Sequence, residues 1–304
     1  MYKDRQFKLG IHTYTLHLNG LGQNWGFVGD YREQAMTLDD LMDKAVEWGL
    51  DGIHLTNVDL VNHDPKHLAD VKKAAADHGL YLEFNCSLNE EFDPRLNETF
   101  QSACLVAEAI GADLVKFSLD IRRPKPLYGS AFHPDVMRQL CDVVDQIKAA
   151  LPEYERTGIR LAVENHTETF ADEIVWVIEQ VNHPLVGACV DTINSVSVLE
   201  DPKYATERLA PYAFCCHFCD NALIRDQDGA HFKGVALGEG DIDNKKTLQA
   251  LKDLSPDFFD RITFEVEWEV GRDDVETAQK KEIEACLKSI KYLREELGLG
   301  VRGR

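Results

Sequence analysis

The sequence predicts an α/β chain folded as a single (β/α)8 TIM barrel over residues 1–304, and three observations carry that expectation. Short apolar runs rich in Val, Ile and Phe recur eight times, each followed by an amphipathic helical stretch. Strict alternation of this kind implies a parallel sheet covered on both faces. Eight units close naturally at this chain length, since such barrels take roughly 250 residues or more. A doubly wound open sheet is the competing arrangement, but no Gly-rich dinucleotide fingerprint comes after the first run.

The elements can be taken in chain order. "KLGIHTYTL" (8–16) is the first strand, and "TLDDLMDKAVEWG" the first helix, with Thr37 and Asp40 placed for a capping box and Gly49 closing it. "GIHLTN" (52–57) precedes a helix around 65–79, and "YLEFNCS" (81–87) precedes a helix over 94–110. In that helix Phe100, Ala103, Cys104, Ala107 and Ile110 keep helical spacing. "LVKFSL" (114–119) leads to a long helix beginning near His133-Pro134. "RLAVENH" (160–166), "VGACVDTIN" (186–194), "YAFCCHFCD" (212–220) and "RITFEVEW" (261–268) complete the set. "GLGQNWG" (20–26) is Gly-rich but opens no helix, so it is poor evidence for phosphate binding.

Composition narrows the function classes. Lys and Arg total 33 against 53 Asp and Glu, a formal charge of -20. Such a surface repels nucleic-acid phosphates and anionic membranes, so neither is expected as a partner. "MYKDRQFKLG" carries no apolar signal core, and no run approaches the ~20 apolar residues of a membrane span. The eight Cys lie scattered in apolar contexts, as reduced thiols in a cytoplasmic protein do. Cys216-x-x-Cys219 has no second pair and no helix start after it, and reads as small apolar residues along a strand.

Polar residues gather where the strands end. Barrels of this kind place their active site at the C-terminal ends of the strands. Glu164 ends the fifth strand, Asp191 the sixth, His217 the seventh and Glu265 the eighth. Residues two apart share a face, which adds His166 beside Glu164 and Glu267 beside Glu265. Three neighbouring carboxylates do not stay ionised together without a cation. With one imidazole they suit a hard or borderline divalent ion, Mn²⁺ first, with Mg²⁺, Co²⁺ or Zn²⁺ as alternatives.

These pieces resemble the xylose isomerase-like superfamily of sugar isomerases and epimerases, which includes D-tagatose 3-epimerase, inosose dehydratase and endonuclease IV-type barrels. The likeness runs from "LGIHTYTL" to "LREELGLG" and rests on "GLDGIHL", "VENH", "CVDTIN", "HFCD", "LGEGDID" and "FEVE". The resemblance implies one divalent metal held by Glu164, Asp191, His217 and Glu265, with Glu164 and Glu265 exchanging protons on opposite faces of a keto-sugar. The chain departs from the epimerase pattern at Asn165, Asn194 and Leu223, although Arg225 lies near the last. Its "ENH" resembles lyase-like members acting on 3-oxo sugars, namely C-glycoside deglycosidase α-subunits and 3-oxo sugar-acid decarboxylases. That branch implies an oligomer, with a small second subunit as one form.

The expected function is therefore a metal-dependent lyase on a 3-oxo-glycoside or related keto-sugar through an enediolate. The alternatives are a keto-sugar isomerase or 3-epimerase, a 3-oxo sugar-acid decarboxylase, an endonuclease IV-like repair enzyme and a barrel that only binds sugar. His166 is a catalytic base or a hydrogen-bond partner of a substrate hydroxyl. His12, Tyr14, His54, Asn85, Lys116, Asn194, Arg225 and His231 are the candidate substrate contacts. Lys116 steadies an oxyanion or carboxylate, or else pairs with Glu83 or Glu164. Trp25 and Phe27 stack on a substrate or pack their loop, and His231 with Lys233 suggests a lid.

Overall fold

The computed structural model describes residues 5–23, 35–124, 131–271 and 273–302. Trp25 and Phe27 lie outside them. The elements are β1 (Lys8–His12), α1 (Leu38–Glu47), β2 (Gly52–Thr56), a single-turn α2 (Asn57–Leu60), α3 (Pro65–His78), β3 (Tyr81–Ser87), α4 (Phe100–Ile110) and β4 (Leu114–Ser118). They continue with α5 (Pro134–Thr157), β5 (Arg160–Glu164), α6 (Ala171–Val181), β6 (Val186–Asp191), α7 (Pro202–Leu209) and β7 (Ala213–Phe218). The last are β8 (Asn221–Asp226), β9 (Gly229–Gly234), α8 (Asn244–Leu254), β10 (Arg261–Phe264) and α9 (Val275–Glu295).

Strands β1 to β7 and β10 form a closed parallel barrel, sealed by β1 against β10 with Lys8 opposite Arg261 and Ile11 opposite Phe264. The expected (β/α)8 class is what the structure shows. Helices cap as their sequences require: Thr37 and Asp40 form the reciprocal box of α1, and His133 caps α5 ahead of Pro134. Outward residues such as Ile11, Phe84, Phe117, Val163, Phe218 and Phe264 pack with the helices into one continuous core.

The inward side is layered and largely polar. At the N-terminal end the Tyr81 ring crosses the barrel over Gly52, where a Cβ would meet the ring at 2.4 Å, and Arg261 stacks 4.4 Å from the ring centroid. Only glycine leaves room for that crossing. Glu83 and Thr263 form the next level, then His12, His54 and His217, and finally the carboxylates at the mouth.

Four expectations need correction. The first strand stops at His12, because residues 13–19 turn into a 3-10 segment, so Tyr14 is not on the strand. The helix expected over 94–110 starts at Phe100, since the Pro94–Leu96 turn is a separate 3-10 piece and Thr99 supplies the true N-cap. The fifth, sixth, seventh and eighth strands also end earlier, at Glu164, Asp191, Phe218 and Phe264, leaving Glu265 directly after its strand and His166 and Glu267 further beyond the ladder. After β7 the chain forms an antiparallel hairpin, β8 with β9, in place of the expected loop.

Candidate metal centre and active site

Four adjacent strands deliver the four expected ligands to one place. Glu164, Asp191, His217 and Glu265 are all buried, none more than 7% exposed. His217 Nδ1 lies 2.8 Å from Glu164 Oε1 and 3.4 Å from Glu265 Oε2. Donor atoms of Asp191, His217 and Glu265 sit within 4.8 Å of one another. Asp191 is fixed from behind: its Oδ1 accepts from the backbone N–H groups of Ile193 (2.8 Å) and Asn194 (2.7 Å). Asn165 grips the Asp191 backbone with both ends of its amide, at 2.8 and 3.0 Å.

The electrostatics state what this cluster lacks. Burial, joined by the Glu164 charge, pushes the Asp191 carboxyl up to about 8. Burial and the neighbouring Glu267, Asp191 and Glu164 charges push Glu265 well above the usual carboxylate range. Burial would raise Glu164 as well, but the Lys116 ammonium and His217 hold it far below the ordinary value. Lys116 contacts Glu164 Oε2 directly and donates to Ser118 Oγ at 2.8 Å, while Ser118 donates to the same Glu164 oxygen at 3.0 Å. Burial and neighbouring charges favour the neutral form of Asp191 and Glu265, and a divalent cation between them would favour the ionised one, so the donor set fits one. Three oxygen donors and one nitrogen suit Mn²⁺, Mg²⁺, Co²⁺ or Zn²⁺.

A cleft of about 540 Å³, counting its opening to solvent, lies over these groups. His12, Tyr14, Asn85, Lys116, His166 and Asn194 line it, so six of the remaining sequence-derived residues converge here. His12 accepts from the Tyr14 backbone N–H at Nδ1 (3.1 Å), and its Nε2 lies 3.0 Å from the Asn85 amide nitrogen. His166 stands at the lip with Nδ1 2.7 Å from Glu168 Oε2. Burial pulls the imidazole down, but Glu168 and Glu164 outweigh it and hold the group up to about 10. Asp120 lies close enough to complete a cluster with His166 and Glu168.

Three expected contacts fall elsewhere. His54 is wholly buried and does not line the cleft: it stands at the level of His12 and His217, packed against both rings and 3.3 Å from Glu83. Arg225 and His231 are exposed on the β8–β9 hairpin and do not line the cleft, since that hairpin leaves the barrel after Phe218. Lys233, grouped with His231 as a lid, instead lies 5.9 Å over the Trp268 ring. Sequence reasoning misses Glu168, along with Ser87, Glu90, Ser118 and Thr167, all of which belong to the site or its lining. For Glu168 a signal exists in "HTE", a carboxylate two residues past a strand-end imidazole.

A family model for the xylose isomerase-like TIM barrel matches residues 42–295. The chain belongs to that family. Among solved xylose isomerase-like structures, D-psicose 3-epimerase determined in the presence of D-fructose superposes with a TM-score of 0.67 at 17% identity, covering 96% of this chain and 99% of the other. The IOLI protein with a bound zinc atom gives 0.63 at 16% identity, covering 93% and 98%. At these identities the likeness is one of fold. A 3-oxo-isoapionate decarboxylase of Pectobacterium atrosepticum is 26% identical over 137 residues, 44% of this chain. That match spans about half of the relative's own length, 49%. No helix among the described residues is long and apolar enough to cross a membrane.

Proposed function

We propose that this xylose isomerase-like protein is a divalent-metal-dependent lyase that acts on a 3-oxo sugar derivative through an enediolate. The observation that carries the reading is the His166–Glu168 pair at the lip of the cleft, 2.7 Å apart and adjacent to the carboxylate cluster. The ion, Mn²⁺ in this reading, would be held by Glu164, Asp191, His217 and Glu265 and would supply positive charge at the 3-ketone.

The chain's own groups then divide the work. Held up to about 10 beside Glu168, the His166 imidazole carries its proton near neutral pH and is placed to deliver it to the departing group. Glu265 is the candidate base. Glu164, held by Lys116, Ser118 and His217, stays ionised and is poorly placed to cycle a proton. A 3-epimerase needs a proton carrier on each face of the sugar, and this immobilised glutamate argues for elimination over re-protonation. His12, Tyr14, Asn85 and Asn194 offer hydrogen bonds to hydroxyl groups.

The departing group is a C- or O-linked aglycone, or carbon dioxide from a 3-oxo sugar acid. The decarboxylase relative supports the second form, and Lys116 supplies a cation for the acid. A D-tagatose 3-epimerase-like isomerase is the second reading, because Glu164 and Glu265 flank His217 as a two-carboxylate exchange requires. DNA repair in the manner of endonuclease IV is disfavoured by the charge of -20. In this reading the protein is one barrel domain in the cytoplasm, taking a small molecule as its partner and assembling as an oligomer, with or without a small second subunit.

The test is product formation and deuterium uptake by NMR in D₂O with Mn²⁺ and three substrate groups: ketohexoses, 3-oxo-glucosides and a 3-oxo sugar acid. Aglycone or carbon dioxide released only from the 3-oxo compounds supports the lyase. Deuterium entering a free ketose with an epimer appearing establishes the second reading. Turnover of none of them overturns the substrate class.

A further inference from the structure

His54 has no place in the cleft, yet it is 0% exposed and ringed by chemistry. Its Nδ1 lies 3.2 Å from His217 Nε2 and 3.3 Å from Glu83 Oε2. Its ring packs edge-on against both His12 and His217, with centroids 5.1 and 4.9 Å away. Glu83 is itself pinned, accepting from Thr263 Oγ1 at 3.0 Å and lying 3.6 Å from the Arg261 guanidinium. The line Thr263–Glu83–His54–His217 thus climbs the barrel axis from its polar floor to the carboxylate cluster.

The two nitrogens of His217 face opposite ways. Nδ1 looks up at Glu164 and Glu265, and Nε2 looks down at His54. An imidazole that gives its Nδ1 lone pair to a cation keeps its hydrogen on Nε2 and must place it on an acceptor. Here His54 Nδ1 stands at that acceptor's place. Backbone carbonyls and carboxylates usually serve this role; an interior histidine does so here because a parallel barrel leaves the strand-centre carbonyls committed to the ladder.

We propose that His54 is a positioning residue whose Nδ1 receives the His217 Nε2 hydrogen, fixes the Nδ1 edge of His217 toward the mouth, and thereby sets the affinity of the centre for a divalent ion. The inference rests on the metal-dependent reading above. It assigns no substrate contact to His54.

Asparagine places its amide oxygen close to where Nδ1 of histidine lies, so His54→Asn keeps the acceptor whereas His54→Leu fills the space without one. Mn²⁺ binding to the full chain is measured by electron paramagnetic resonance, counting free ion, with the melting curve of the metal-free protein as the folding control. For His54→Leu the dissociation constant rises about 10- to 100-fold. His54→Asn stays within about threefold of the parent. His54→Leu binding within about twofold of the parent, with a normal melt, overturns the inference while leaving the metal site standing. A parent protein that binds no divalent ion removes both. Should His54→Leu not fold, His54→Met, which also lacks an acceptor at Nδ1, takes its place: loss of Mn²⁺ affinity in the folded variant supports the inference, and unchanged affinity overturns it.

Discussion

Glu83→Gln separates a buried carboxyl from its charge with almost no change in shape. Burial raises Glu83 from its ordinary 4.5 to about 7, the Asp113 charge adds to this, and Arg261 and the Thr263 hydroxyl only partly oppose it. Below pH 4.5 the folded and unfolded chains both hold the proton, and the full contribution of the neutral group to stability is present. Between 4.5 and 7 the unfolded chain has lost the proton that the folded chain keeps, so stability falls as pH rises. At about 1.4 kcal/mol for each pH unit of separation, the loss is complete above pH 7 at about 3 kcal/mol. Glutamine has no proton to lose. Urea unfolding of both proteins from about pH 4.5 to 8 is expected to show equal stability at the acid end and Glu83→Gln ahead by about 3 kcal/mol at the alkaline end. Parallel profiles, or a glutamine variant that is the weaker one at the alkaline end, refute the reasoning.

The remaining predictions concern the site and its frame. Asp191→Asn and Glu265→Gln each weaken Mn²⁺ binding by at least about 100-fold in calorimetric titration, exceeding the effect of groups that only orient a ligand. His166→Ala lowers turnover of a 3-oxo substrate by about 10²- to 10⁴-fold with Mn²⁺ affinity kept, and Glu168→Gln gives a smaller loss, both read from steady-state kinetics. Glu173→Ala strips the buried Arg123 of its ion pair and leaves the Phe132 and Phe170 N–H groups without an acceptor. A loss of about 3–5 kcal/mol is expected in chemical denaturation, partly recovered when Arg123 is also replaced.

The barrel and its ligand set are legible in the sequence because both depend on local rules. Apolar runs of fixed length mark buried strands, and a carboxylate or imidazole ending such a run has nowhere else to go than the mouth. Legibility fails where geometry is not local. His54 and His12 lie side by side in register on β2 and β1, yet only His12 lines the cleft, a difference that strand alternation does not reveal. Distance along the chain from His217 puts Arg225 and His231 near the site, but pairing of β8 with β9 carries them out to solvent. Lys116 allows two readings, and its ion pair with Glu164 belongs to a cross-strand contact that one strand alone does not reveal. Glu168 escapes because it lies past the strand, where alternation no longer says which way a side chain points.

The 3-10 segment that carries Tyr14 is fastened to α9 as well as to its neighbours, where Thr13 donates to Asp59 and Thr15 accepts from the Val266 N–H. The Leu18 N–H and the Asn19 amide both donate to the fully buried Glu282, and Gln279 donates back to the Leu18 carbonyl. One wall of the cleft is therefore synthesised long before its anchor, and the barrel's closing strand emerges scarcely earlier than α9. A nascent chain would carry every metal ligand before it could shape a pocket around them. Shortening that helix before Gln279 and Glu282 is expected to loosen a wall of the site more than 250 residues away in sequence.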